Sequence, residues 1–176
     1  YIEPMKLPQY YQADDRWGTK RYGLSNMKLT GCVPTALAMA ISGLKEDVNP
    51  VQVADFLYVM TMELNTTFLG TSSLGVQEVV SQWGLNYKVI DSKEELEETL
   101  KSGTLVYGAV GHGIFVNGYS THAVLLTGYE NGKTKAFDPD NMAKTNKWYN
   151  IDDIWKERSL APEDNMTGGA FIAIYK

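Results

Sequence analysis

The chain has 176 residues, a formal net charge of −5 and a single cysteine. A chain of this length buries about 70% of its unfolded surface, so one domain over residues 1–176 needs no metal or disulfide, and a lone cysteine excludes an internal disulfide. Scattered Lys and Arg exclude phosphate-backbone binding, so nucleic acid is not an expected partner, and no run in this chain approaches the ~20 apolar residues of a membrane span.

Residues 1–31 read as irregular and turn-rich, from Leu7-Pro8-Gln9-Tyr10-Tyr11-Gln12 to Asp14-Asp15-Arg16-Trp17-Gly18. Thr30-Gly31-Cys32-Val33-Pro34-Thr35 then runs into Ala36-Leu37-Ala38-Met39-Ala40-Ile41. This predicts a buried helix over 33–43, stopped by Gly43, with Pro34 in the first turn, where its missing N–H costs nothing. Ala36, Ala38 and Ala40 permit close backbone packing. Cys32 stands at the helix start, where unpaired N–H groups and the positive end of the helix dipole favour the reactive thiolate. A small core residue is the other role open to a lone cysteine.

Asn49 caps and Pro50 opens a second helix, with Val53, Phe56, Leu57, Met60 and Leu64 as its buried stripe. Gly70-Thr71-Ser72-Ser73 reads as a loop, and Ser73 as the cap of a helix from Leu74 to Trp83, closed by Gly84. Tyr87 to Ile90 reads as a strand. Ser92-Lys93-Glu94-Glu95 is a capping box for a short helix ending near Gly103. Four apolar runs follow as strands: Thr104 to Val110, His122 to Tyr129, Thr134 to Phe137, and Ala170 to Tyr175. Glu130-Asn131-Gly132-Lys133 joins the second and third as a hairpin turn. Ile151 to Glu157 reads as one more helix, and Gly168-Gly169 as a turn. Helices first and an antiparallel sheet later make the class α+β, with two halves packed together.

Three residues carry chemistry. Cys32 opens a helix, His122 opens a strand, and Asp138 ends the next strand in Ala136-Phe137-Asp138-Pro139. A thiol needs a base within hydrogen-bond reach, and the base needs a third group to fix its orientation. Cys, His and Asp in this order outline a thiol hydrolase. His112, between Gly111 and Gly113, is the competing histidine, but a glycine-flanked loop offers no strand to fix it. Asp140, beyond Pro139, competes with Asp138. One Cys and two His ten residues apart are too few for zinc, and no phosphate loop or dinucleotide fingerprint occurs, so no metal or cofactor is expected.

Gln12-Ala13-Asp14-Asp15-Arg16-Trp17, Gly31-Cys32-Val33-Pro34-Thr35-Ala36-Leu37-Ala38-Met39, His122-Ala123-Val124 with Gly128-Tyr129, and Asp138-Pro139 together resemble stand-alone relatives of the bacteriocin-processing, double-glycine cysteine peptidases. The resemblance spans roughly Leu7 to Pro139 and implies a papain-like fold, with a central helix packed on an antiparallel sheet. It also implies a Cys32 nucleophile, a His122 base, Asp138 as its orienter, and Gln12 at the oxyanion hole beside the Cys32 N–H, with Gln9 as the nearby alternative. In that arrangement Trp17 borders one side of the groove. The glycine-rich segment from Gly108 to Gly118, with Phe115 and Tyr119, borders the other as a lid, or else forms a plain hairpin connection with buried anchors.

Three functions fit these residues. The first is a cysteine peptidase forming a thioacyl-enzyme on a peptide or protein substrate. The second is a thiol amidase or acyltransferase acting on cell-wall or other non-protein amides. The third is a non-catalytic peptide-binding member, which the joint presence of Cys, His and Asp disfavours. The stand-alone resemblance implies a role secreted by, or displayed on, a Gram-positive bacterium, and the chain is expected to act as a monomer. A start at Tyr1 fits a mature form trimmed of its signal peptide.

Overall fold

The computed structural model describes residues 1–60 and 71–176. The first 20 residues run as an irregular strap along the later sheet: Ile2 bridges Tyr129, the Met5 N–H donates to Thr127 Oγ1, and the Gln12 N–H donates to the Pro139 carbonyl. A small hairpin follows, β1 (Arg21–Tyr22) with β2 (Ser25–Asn26), and leads into the one-turn helix α1 (Met27–Thr30). Neither element has a period long enough to be visible in the sequence.

Helix α2 (Cys32–Leu44) is the predicted central helix, one residue longer at each end. Every residue from Val33 to Ile41 is buried, including the three alanines. Gly43 does not stop it. It lies inside the helix because Leu7 of the strap crosses there, where a Cβ would collide. Helix α3 (Pro50–Met60) opens with a reciprocal cap: Asn49 Oδ1 accepts the Gln52 N–H at 3.0 Å and Gln52 Oε1 accepts the Asn49 N–H at 2.9 Å. Of its expected stripe, Val53 and Leu57 are buried and Phe56 half-buried. The Met60 side chain and Leu64 lie outside the described residues, as does Gly70 of the expected loop. Helix α4 (Ser73–Gln82) is capped by Ser72, whose Oγ accepts the Gly75 N–H, and not by Ser73.

The six-stranded sheet is antiparallel throughout. Its strands are β3 (Asn86–Ile90), β4 (Leu105–Val110), β5 (His122–Glu130), β6 (Lys133–Phe137), β7 (Lys147–Asn150) and β8 (Phe171–Tyr175), in the order β3-β8-β4-β5-β6-β7. Asn131 and Gly132 both take positive φ, the geometry the β5–β6 turn requires. Strand β7 lacks an apolar run and was not legible.

The sheet is covered on both faces. Leu105, Tyr107, Ala109, Ala123, Leu125 and Ile172 join the core built on α2. Val106, Val110, Val124, Leu126 and Phe171 form a second core with Leu96 and Leu100 of α5 (Lys93–Lys101) and Ile151 and Ile154 of α6 (Ile151–Lys156). The expected two packed halves thus have a third layer behind them. The predicted capping box holds α5, with Ser92 Oγ accepting the Glu95 N–H at 3.1 Å. Among the described residues no helix is long and apolar enough to cross a membrane.

Candidate active site

Cys32 is the first residue of α2 and is only partly buried. Its N-cap, Gly31, has no side chain to satisfy the first-turn N–H groups, so they remain free at the cleft. Gly31 is required for packing: a Cβ there would meet the Met27 carbonyl oxygen at 2.5 Å, where α1 folds back against α2. Close seating of α1 on α2 thereby fixes both the thiol and the uncapped helix end.

His122 begins β5 opposite Val110 and faces Cys32 across the cleft. Its Nε2 lies 2.6 Å from Asp138 Oδ1, with the Asp138 carboxylate fully buried. That leaves Nδ1 for Cys32, whose side chain also hydrogen-bonds the ring. Burial pulls the His122 pKa down. The hydrogen bonds to Asp138 and Cys32 and their charges outweigh burial and push it up to about 10. The imidazole is therefore held charged at neutral pH, which is the partner a thiolate needs.

Asp138 follows β6 in a tight turn that supports it from several sides. Its Oδ1 also accepts the N–H groups of Asp140 at 2.8 Å and Asn141 at 3.2 Å. Its own N–H donates to Thr145 Oγ1, which in turn donates to Gln9 Oε1; Gln9 Nε2 closes the ring on the Asp138 carbonyl. Asp138 Oδ2 is buried without a partner among the described residues. Asp140 is exposed and meets the Asp138 carboxylate through its backbone N–H, so the geometry brings Asp138, not Asp140, to the histidine.

Gln9 is committed to clamping Asp138. Gln12 is the glutamine at the cleft: it is 4% exposed and lines the same cavity as Cys32 and His122. Gln12 Nε2 donates one hydrogen to the Lys28 carbonyl at 3.0 Å, and the amide carries a second.

Trp17 does not border the groove. It is buried in the α2 core with its Nε1–H on the Tyr11 carbonyl, and it is not among the residues lining the cleft. An indole this large and apolar serves packing better than a wet rim. The glycine-rich segment is also no free lid. Residues 108–110 are strand, and beyond them Glu157 pins the loop: its carbonyl accepts the Gly111 N–H at 2.7 Å and its Oε1 accepts the Ile114 N–H at 2.6 Å. Gly113 has φ +149°, and a side chain there would strike Glu157. Phe115 is buried edge-to-face on Tyr149 while its flank lines the cleft. Tyr119 is fully exposed at the cleft rim, stacked on His112, which is also exposed and holds the Gly118 carbonyl.

The cleft has two lobes that share Leu29, Cys32, Ser120, Thr121 and His122. One, of about 440 Å³, contains Gln12, and the other, of about 590 Å³, lies on the opposite side. The arrangement supplies a thiol at a helix start, a charged imidazole fixed by a buried carboxylate, and N–H donors beside the thiol. That is sufficient for attack on an acyl carbon. The Gln9–Thr145 clamp, the Glu157 pin and the floor of the larger lobe had no signature in the sequence, because each joins residues far apart in the chain.

The family model described as Peptidase_C39 like family matches residues 5–167. No curated protein sequence matches the chain. Among solved structures, the chain is similar to a putative C39-like peptidase from Bacillus anthracis, at 15% identity and TM-score 0.67, covering 99% of this chain and 98% of that one. It is also similar to the peptidase domain of Streptococcus ComA, a bi-functional ABC transporter of a quorum-sensing pathway, at 18% identity and TM-score 0.59, covering 84% and 90%. A third is a double-glycine-motif protease of an AMS/PCAT transporter in complex with a leader peptide, at 20% identity and TM-score 0.55, covering 98% and 91%. The fold is the papain-like α+β fold of these domains.

Proposed function

Because the chain belongs to the Peptidase_C39 like family, we propose that it is a cysteine peptidase that hydrolyses peptide bonds with Cys32, His122 and Asp138. The observation that carries this reading is the 2.6 Å contact of His122 Nε2 with Asp138, which leaves a charged imidazole facing Cys32 at an uncapped helix start.

The Cys32 thiolate attacks the carbonyl carbon of the scissile amide. The carbonyl oxygen becomes an oxyanion, which the Cys32 N–H and the free amide hydrogen of Gln12 stabilise; one such donor is worth ~3 kcal/mol. His122 passes its proton to the departing amine as the C–N bond breaks, leaving a thioester on Cys32. Water then attacks the thioester, its proton goes to His122, and the carboxylic acid leaves as the thiolate–imidazolium pair is restored. Asp138 does not gain the proton. It holds the ring in one orientation and compensates its charge. A peptide as substrate is supported by the similar fold that is described as holding a leader peptide.

The test is digestion of a mixed peptide library read by mass spectrometry. New termini should appear with the wild type and vanish with Cys32→Ala, with His122→Ala and after alkylation by iodoacetamide, while His112→Ala cuts normally. Cleavage that survives in Cys32→Ala, or that depends on His112 and not His122, refutes the assignment.

A further inference from the structure

The larger lobe of the cleft has a chemistry of its own. Tyr107 of β4 lines it and is 3% exposed, yet its hydroxyl makes no hydrogen bond among the described residues. A phenol lining a cavity can both donate to and accept from a ligand that enters it.

Beside it stands Asp164, buried at the end of the 3₁₀ turn Pro162–Asp164, with Glu163 half-buried next to it. Asp164 Oδ2 accepts the Ser159 Oγ–H at 2.5 Å, and Thr121 donates a second hydrogen bond. A carboxylate offers about four acceptor positions, so two remain. Neither Asp164 nor Glu163 has an ion-pair partner among the described residues. Burial, and then the Glu163 charge, push the Asp164 pKa upward against the two hydrogen bonds. No Lys or Arg lines this lobe, and His122, engaged with Asp138 and Cys32, is its one cationic group among the described residues.

The carboxylates stand on a rigid base. The Ser159 N–H donates to the Ala109 carbonyl, and Asn165 Nδ2 donates to the carbonyls of Ser159 and Ala161. Cys32 lines the same lobe, so whatever fills it is next to the reacting bond. At about 590 Å³ the lobe admits a long side chain.

We propose that this lobe is a specificity subsite for a substrate residue with an ammonium-bearing side chain, held by Asp164 with Glu163 at the rim and Tyr107 as hydroxyl partner. An ammonium has only donors to give, and the lobe presents acceptors and negative charge in a partly dry setting where an ion pair is worth most. The inference rests on the peptidase reading, since it places the side chain beside a scissile bond.

Protection of Cys32 from alkylation tests it without requiring turnover. Iodoacetamide labelling of the wild type is followed against Nα-acetyl-lysine methylamide and against its norleucine counterpart, which has the chain but no charge. The lysine compound should protect at a concentration about tenfold or more below that of norleucine. The advantage should disappear in Asp164→Asn and shrink in Tyr107→Phe. Equal protection by the two compounds in the wild type overturns the subsite, whatever the variants do, and so does a lysine advantage that persists in Asp164→Asn. The peptidase reading is judged separately: lysine-selective protection without cleavage of any lysine-bearing peptide keeps the subsite and removes the peptidase.

Discussion

Asp138→Asn separates the charge of the third residue from its geometry. Asparagine has the same outline, and its Oδ1 can keep the His122, Asp140 and Asn141 contacts. Two things change. The imidazolium loses its counter-charge, and an amide NH₂ replaces Oδ2, which sits buried without a partner. The second change strands a donor at a cost of about 1–3 kcal/mol, and at ~2–4 °C per kcal/mol for a chain of this size the melting temperature should fall by about 2–12 °C. The first change acts on His122. Its pKa stands at about 10 against 6.5 for the free ring, a displacement worth at most about 5 kcal/mol, and the Asp138 hydrogen bond is the largest influence raising it. With the carboxylate charge gone from that hydrogen bond, the His122 pKa should fall. NMR titration of the His122 ring reads this directly. Protonated His122 stabilises the fold fully below pH 6.5, and that stabilisation is lost as pH rises through about 10. The stability gap between wild type and Asp138→Asn should therefore be widest at low pH and narrow toward pH 10. Cleavage should fall without vanishing. An unchanged His122 titration, or a gap that widens with rising pH, would refute the reasoning.

Cys32→Ala should abolish turnover and move the melting temperature by only a few degrees, because one sulfur at a partly exposed position leaves little void; residual cleavage would exclude Cys32 as nucleophile. Gln12→Ala should lower kcat by about 10²–10³-fold with a smaller change in KM, and a kcat within about twofold of wild type would remove Gln12 from the oxyanion hole. Phe115→Ala should cost about 3–5 kcal/mol, or about 6–20 °C in thermal midpoint, because the ring is wedged on Tyr149 in the second core. Tyr119→Ala should leave the midpoint unchanged and alter KM alone; the opposite pattern for this pair would reverse the packing and rim roles given to them.

The parts of the molecule that sequence revealed are those with a local code. The Asn49 cap, the Ser92–Glu95 capping box, the Asn131-Gly132 turn and the β4, β5 and β8 runs each declare themselves within a few residues. Cys32, His122 and Asp138 were legible for a related reason: each stands at the end of an element, where a side chain can meet a cleft. Trp17 was misplaced because an indole at a surface-like Asp-Arg-Trp-Gly turn gives no sign of folding inward under Tyr10 and Tyr11. The glycine-rich segment looked mobile because its restraint, Glu157, lies 43 residues downstream of the Ile114 it holds. Strand β7 and the hairpin β1–β2 carry no periodicity and exist only through their partners.

The separation of the site along the chain also sets when it can exist. Cys32 and its helix leave the ribosome long before His122, and Asp138 and its Thr145 support follow later still. At ~5–20 residues per second of synthesis, the thiol has no base for several seconds, and the base has no anchor until the β5–β6 hairpin closes. The strap completes the assembly only when the Gln12 N–H finds the Pro139 carbonyl. A nascent chain truncated before residue 138 therefore lacks the buried carboxylate that holds His122 beside Cys32.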